Sequence, residues 1–349
     1  MSAAGWTPDP TDGAELLNDV ERFLGRFVAY PSEAARVAHV LWIVHAWFMD
    51  AWESTPRIAF LSPEPASGKS RAIEVTEPLV PRPVHAVNTT PAYLFRKVSD
   101  PDGAPTVLYD EIDTVFGPKA KDNEDVRGML NAGHRRGATA GRCVVRGATV
   151  CTEELPAYCA VALAGLDDLP DTLMSRSVVI RMRRRAPSER IEPWRYRTCR
   201  PDDLHDRLAK WSNDVRELAG TAWPDMPPGV EDRDADVWEA LLRCADLAGD
   251  DWPKRARVAA VTLVTDSQSR PPSLGVMLLR DLHAVFTEAN ADRLSTEVIL
   301  GQLVRMDESP WGDLRGKPLD AGGLSRRLSK YRVGPKPLRV GDQVFKGYD

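Results

Sequence analysis

The residues best suited to chemistry lie in two short stretches. The first is Pro63-Glu64-Pro65-Ala66-Ser67-Gly68-Lys69-Ser70, directly after the apolar run Ile58-Ala59-Phe60-Leu61. Gly-Lys-Ser between a strand and a helix suits phosphate binding. Loop N–H groups and the helix N-terminus hold a β-phosphate, the lysine reaches the β and γ oxygens, and the hydroxyl binds Mg²⁺. Pro63 stands where the usual pattern has its first glycine, and Ala66 where many such loops have another. A bare Gly-Lys-Ser also falls in surface turns by chance. The second stretch weighs against chance. Thr106-Val107-Leu108-Tyr109-Asp110-Glu111-Ile112-Asp113 is an apolar strand closing on acids, the form of a Walker B motif. Asp110 would hold a Mg²⁺-bound water, and Glu111 would polarise the water attacking a γ-phosphate. The order strand, Gly-Lys-Ser, helix, strand, Asp-Glu predicts ATP and Mg²⁺ as cofactors.

Positioning such residues needs a sheet with helices on both faces. Short apolar runs at 58–61, 85–87, 106–109, 159–163 and 178–182 alternate with helical stretches, which predicts a parallel sheet of the α/β class. A helix runs from Lys69 to about Leu79. Ahead of the sheet, Leu16, Val20, Phe23 and Phe27 recur at helical spacing, Pro31 interrupts, and Ser32 can cap a helix that is apolar nearly all round. After a Pro- and Arg-rich connector, helices are expected over 202–220, 235–249 and 253–267. Ser269-Arg270-Pro271-Pro272 is a linker, and the final block reads as three helices and a β-hairpin. The expected domains are an N-terminal helical segment (1–54), an ATPase core (55–185), a helical lid (186–270) and a C-terminal domain (271–349).

The 349 residues carry 46 Lys+Arg against 51 Asp+Glu, a net charge of −5, which excludes a uniformly basic nucleic-acid-coating protein. Cys143, Cys151, Cys159, Cys199 and Cys244 include no Cys-x-x-Cys pair and imply neither a disulfide framework nor a zinc site. The first residues lack a basic region followed by an apolar run, and the stretch 37–49 is too short to span a bilayer, so a cytoplasmic protein with no membrane partner is expected.

Downstream of the fourth run, Leu169-Pro170-Asp171-Thr172-Leu173-Met174-Ser175-Arg176 resembles the AAA+ ATPases. The resemblance implies that Arg176 reaches the γ-phosphate of a neighbouring subunit, making hydrolysis depend on assembly. It also implies a lid with a sensor-2 arginine, for which Arg233 is the candidate and Arg243 and Arg255 compete. Sensor 1 is left unassigned, because Gly165 stands where the family usually has a polar residue. Nearly the whole chain is similar to ATPase modules of phages, prophages and plasmids, often joined to primases and often known only as domains of unknown function. His45, Ser62-Pro63-Glu64, Leu130-Asn131-Ala132-Gly133-His134-Arg135-Arg136-Gly137 and residues 238–252 carry that likeness. It implies replication of a mobile element by a homo-oligomer, a hexamer among its forms, with a separate primase as a further partner.

Two regions are candidates for touching DNA, single-stranded or forked. Arg135, Arg136 and Arg142 belong either to a glycine-flexed loop facing a channel or to a solvated hairpin. The C-terminal block resembles a winged helix, with Arg326, Arg327 and Lys330 on the outer face of a recognition helix and Arg339 and Lys346 on the wing. Residues 315–349 hold nine Lys/Arg against three Asp, a reversal of the overall sign. A winged helix also serves protein contacts. The reading is a P-loop, AAA+-like Mg²⁺-ATPase acting on DNA as a ring-forming helicase or translocase. The alternatives are a non-translocating initiator or helicase-loader switch, and a DNA-binding scaffold with a degenerate phosphate loop.

Overall fold

The computed structural model describes residues 10–86, 89, 91–100, 102–116, 124–146, 149–166, 168–199, 201, 203–221, 223–269, 274–306, 309–314, 316–340 and 343–349. The chain forms two compact units, Met1–Gln268 and Ser269–Asp349.

The first unit begins with α1 (Pro10–Phe27) and α2 (Glu33–His45). Ser32 caps α2, its hydroxyl accepting from the Ala35 N–H at 3.2 Å, and every residue from Val37 to His45 is buried. Its two histidines find polar partners. His39 lies between the Tyr30 hydroxyl (2.6 Å) and the Thr76 hydroxyl (2.7 Å), and His45 meets the Thr55 hydroxyl at 2.9 Å. Burial pushes His39 down to about 3 and His45 down to about 4, so both stay neutral at pH 7.

Strands and helices then alternate: β1 (Arg57–Leu61), α3 (Lys69–Thr76), β2 (Pro83–Ala86), α4 (Pro91–Val98), β3 (Thr106–Tyr109), α5 (Asp113–Phe116) and α6 (Glu124–Ala132). An antiparallel hairpin, β4 (Thr139–Arg146) with β5 (Thr149–Pro156), precedes β6 (Ala160–Gly165), α7 (Asp171–Met174) and β7 (Ser177–Arg181). Three helices complete the unit: α8 (Leu204–Ala219), α9 (Asp232–Ala248) and α10 (Trp252–Gln268).

The sheet has five parallel strands in the order β2-β3-β6-β1-β7, so β1, the strand leading to the Gly68-Lys69-Ser70 turn, is flanked by β6 and β7. Side chains alternate between its faces. Ile58, Phe60, Ala162, Ala164, Val178 and Ile180 share a core with α1, α2 and α8–α10. Ala59, Leu61, Val107, Tyr109, Val161 and Leu163 share another with α4 and α6. The result is the expected α/β architecture. The helices expected as lead-in and lid thus close over one common core. Strand bounds shift: the run expected at 85–87 lies at Pro83–Ala86, and that at 159–163 lies at Ala160–Gly165. The segment after α6 forms an antiparallel hairpin, with Val144 paired to Cys151 and Val145 to Val150.

At the start of β1 the fully buried Arg57 donates to the carbonyls of Cys159 (2.8 Å) and Leu130 (3.2 Å). Burial pushes its guanidinium down to about 10.

The second unit comprises α11 (Leu274–Glu288), β8 (Leu294–Ser295), α12 (Thr296–Arg305), α13 (Ala321–Leu328), β9 (Lys336–Val340) and β10 (Gln343–Tyr348). Its antiparallel sheet runs β8-β10-β9. Leu278, Ile299, Leu303, Trp311, Leu324 and Leu328 form its core, and the Trp311 indole N–H donates to Asp281 at 2.8 Å. Side chains cap two of its helices: Ser295 accepts from Val298 N–H, and Asp320 from Gly323 N–H.

Candidate functional site

The loop leaving β1 folds over its own lysine. Lys69 is only 9% exposed, and its ammonium donates to the Ser62 carbonyl (3.3 Å), the Glu64 carbonyl (2.9 Å) and the Ser67 hydroxyl (3.0 Å). Burial lowers its pKa, opposed by Asp113 and then Asp110. Gly68, at φ +87°, caps α3 in the left-handed region without a side-chain acceptor. The first amides of α3 are therefore left to other acceptors. Ala66 also sits at positive φ, +59°, which explains the common glycine there. Exposed Ser70 follows the lysine. A cation, a helix N-terminus lacking a side-chain cap and a hydroxyl fit a nucleotide phosphate with Mg²⁺.

The acids lie two strands away, across β6, at about 10 Å by the usual strand spacing. Glu111, exposed, takes φ +58°, and its N–H is held by the Asp110 carboxylate at 2.9 Å. A glutamate in that region stores strain of the kind found at functional sites. Asp113 reaches the tip of β6, accepting from the Leu166 N–H at 3.2 Å. The glycine at that tip has a packing reason: a Cβ on Gly165 would stand 2.8 Å from Ile112 Cγ2 and 3.4 Å from Asp113 Oδ1. The polar side chain at the β6 tip is thus supplied by Asp113.

Arg176 lies at the other end of the sheet. Its carbonyl accepts from Arg57 N–H, at the first residue of β1, and its guanidinium donates to the Asn131 carbonyl at 2.9 Å. A cavity of about 450 Å³ opens here, lined by Glu53, Arg135, Arg176, Arg233, Asp236 and Glu239 among others, with Trp223 75% exposed beside it. Burial pushes the Glu239 carboxyl up to about 7, with Asp236 and Glu53 adding to the effect. His134 is held below its ordinary range by burial and by Arg176.

Several expected positions are corrected. Arg233 does not join the Lys69 loop; it donates to the Ser175 hydroxyl at 3.1 Å, in the cavity of Arg176. Arg243 binds the Leu218 and Ala219 carbonyls, and Arg255 binds Glu21 and Glu33, so both serve helix packing. Arg136 stays exposed, and its guanidinium donates to the Trp52 (2.7 Å) and Met49 (3.3 Å) carbonyls, whereas Arg135 lines the cavity. The Arg142 side chain lies outside the described residues. In the second unit Arg326 and Lys330 are exposed while Leu324 and Leu328 are buried. Arg327 donates to the Gly323 carbonyl at 3.2 Å, and Arg339 and Lys346 are exposed on β9 and β10.

Residues 181–349 match the model of DUF3631, a protein family of unknown function. The match begins at the end of β7 and takes in the connector, α8–α10 and the second unit. An uncharacterized 28.9 kDa protein encoded in the xis 5′ region of Saccharopolyspora erythraea is 40% identical over 171 residues, 48% of this chain. The match spans 64% of that relative's length. Among solved structures, the active helicase Cch of SCCmec type IV is 11% identical with a TM-score of 0.45, covering 100% of this chain and 74% of its own. A full-length MCM homolog from Methanopyrus kandleri is 16% identical with a TM-score of 0.40, covering 75% and 62%.

Two cations near the Lys69 loop escaped sequence reasoning. Arg184, just past β7, donates to the Pro65 carbonyl (3.3 Å) and pairs with Glu64 (3.1 Å). Arg181 pairs with Asp168. The run Arg181-Met182-Arg183-Arg184-Arg185 reads as a solvated charge cluster until β7 is known to lie beside β1.

Proposed function

We propose that the chain is a Mg²⁺-dependent ATPase acting on DNA as a ring-forming helicase or translocase of a mobile element. The observation carrying this reading is the nearly buried Lys69, held under a left-handed Gly68 at the carboxyl end of β1. Asp110, Glu111 and Asp113 face the same end of the sheet from β3. When bound, ATP supplies the phosphoryl group and Mg²⁺ neutralises its oxygens. Lys69 and the first turn of α3 bind the phosphates, Ser70 and Asp110 hold the metal, and Glu111 orients the attacking water. Arg176 lies too far from its own loop to share in this, so it acts on the loop of a neighbour in a homo-oligomer. The second unit presents Arg326, Lys330, Arg339 and Lys346 to a phosphate backbone as a winged helix, under a local net charge of +6 for residues 315–349.

The test is steady-state ATP turnover of wild type and Glu111→Gln, with and without single-stranded and duplex DNA, over a protein concentration series. The expected result is DNA-stimulated turnover that rises steeply with protein concentration and disappears in the variant. Turnover without strand displacement on a forked substrate would leave a non-translocating switch. No turnover under any condition would leave a DNA-binding scaffold.

A further inference from the structure

Between Arg181 and Arg200 the chain carries eight arginines against two glutamates, Glu189 and Glu192, in a protein of net charge −5. From Met182 to Cys199 this connector forms neither helix nor strand, yet its course is fixed. The Trp194 ring packs edge-on against Phe23 and Phe27 of α1, with centroids 6.0 and 5.0 Å away. Glu192 accepts twice from the Arg26 guanidinium, at 3.1 and 2.8 Å. Arg181, Arg183 and Arg184 pair with Asp168, Glu189 and Glu64. Both acids of the connector are thus engaged. Arg190, Arg195 and Arg197 are exposed and, among the described residues, pair with no carboxylate.

Arg195 and Arg197 stand on one turn, closed by the Thr198 and Cys199 N–H groups donating to the Arg195 carbonyl at 3.0 and 2.9 Å. Between them Tyr196 is 49% exposed. It borders a cavity of about 280 Å³ whose other flat walls are Pro78, Pro83, Pro201 and the His205 imidazole. The Glu77 and Asp206 carboxylates line it as well. Unpaired guanidiniums on a fixed turn suit a phosphate backbone, and a slot of aromatic and proline rings suits a planar base. The two carboxylates repel a phosphate from the slot but can accept from the amino group of a base.

We propose that Arg190, Arg195, Arg197 and the Tyr196 cavity form a binding surface for a single-stranded polynucleotide, with phosphates on the arginines and one base against Tyr196. A duplex keeps its bases paired and stacked, so filling the cavity would require unpairing one. An acidic peptide would engage the arginines but gain nothing from a slot that holds two acids of its own. The surface uses none of the residues assigned above to ATP and none of the second unit, and turnover plays no part in its test.

Binding of a fluorescein-labelled single-stranded oligonucleotide of mixed sequence, as DNA and as RNA, is followed by anisotropy over a salt series. The full-length chain carries Arg326→Gln, Lys330→Gln, Arg339→Gln and Lys346→Gln throughout, so that losses are read from the connector. Adding Arg190→Gln, Arg195→Gln and Arg197→Gln removes three phosphate contacts, and the slope of log K against log salt should become shallower by about 2. Tyr196→Ala should leave that slope unchanged and weaken binding roughly 5- to 150-fold, the worth of one stacked base. Tyr196→Phe should bind as its parent does. All four residues are exposed, so melting temperatures should not change. In the wild-type chain, an oligonucleotide carrying 5-iododeoxyuridine should photocrosslink to the peptide containing Tyr196. An unchanged slope in the arginine variant, or crosslinks confined to other peptides, overturns the proposal. Full affinity in Tyr196→Ala beside an intact arginine effect would mark a contact for acidic protein, and overturns it too.

Discussion

Replacing Gly165 by alanine tests the packing that couples β6 to the acids. The new Cβ would stand 2.8 Å from Ile112 Cγ2, about 1 Å inside ordinary carbon–carbon contact. Ile112 is fully buried in the core on that face of the sheet and cannot retreat into solvent. Its N–H is also held by the Ala164 carbonyl at 2.9 Å, immediately before the substituted residue. Overpacking of this kind costs about 1–3 kcal/mol, offset by about 0.5–1 kcal/mol because alanine loses less backbone entropy than glycine. A net loss of about 1–2 kcal/mol corresponds to a fall of roughly 2–6 °C in melting temperature for a unit of this size. Turnover should suffer more than stability. Ile112 lies between Glu111 and Asp113, and displacing a catalytic group by about 1 Å can cost 100-fold. The assay is thermal unfolding with ATP turnover for Gly165→Ala, Ile112→Leu and the double variant. Leucine lacks the branch that the new methyl would strike, so the double variant should recover part of both losses. Unchanged melting temperature and turnover in Gly165→Ala would refute the argument.

Ala66→Gly should raise stability by about 0.5–1 kcal/mol, because alanine at φ +59° bears a penalty of about 1–2 kcal/mol that glycine avoids, less the entropy glycine adds to the unfolded chain. Chemical denaturation checks this, and a lower midpoint would count against strain at that position. Glu239→Gln should remove a pH dependence. The unfolded carboxyl titrates near its ordinary value of 4.5 and the folded one at about 7, so between those values the folded protein binds more protons and wild-type stability falls as pH rises. The expected difference is on the order of 1–2 kcal/mol for a partly exposed group. Equal slopes for wild type and variant in denaturant melts between about pH 5 and about pH 8 would sink the reading.

Much of this site was legible because its signals are local. The run Ile58-Ala59-Phe60-Leu61 before Gly68-Lys69-Ser70 and the run Thr106-Val107-Leu108-Tyr109 before Asp110-Glu111 each specify a strand and what leaves it. Both stand where the spacing predicted. The misplaced residues depend on contacts between distant segments. Arg233 gives no sign in its own sequence that Ser175 lies beside it. Arg136 gives none that the Trp52 and Met49 carbonyls will hold its guanidinium. The pairing of β7 with β1, which puts Arg184 at the Lys69 loop, likewise joins residues more than a hundred positions apart. Asp113 stands in the sequence beside Asp110 and Glu111 with nothing to mark its separate place. Its link to Leu166 exists because β6 lies between β1 and β3, and strand order is not written in any one stretch. Gly165 was a partial clue, since a small residue at a strand tip implies that another group occupies the space.

Buried Arg57 has a consequence for how the chain finds its fold. β1 is buried along its whole length, and its residues are apolar enough that a slip of one position against β6 would exchange its two faces at modest penalty in hydrophobic burial alone. The guanidinium removes that tolerance. In the native register it meets the Cys159 and Leu130 carbonyls; one step away it would be a cation deprived of both acceptors in a medium that solvates it poorly. Mispaired sheets are thereby penalised before they can accumulate, and the height at which Lys69 emerges relative to Asp110 is set by a residue at the far end of the strand. An arginine remote from both residues works as the alignment mark that places them side by side.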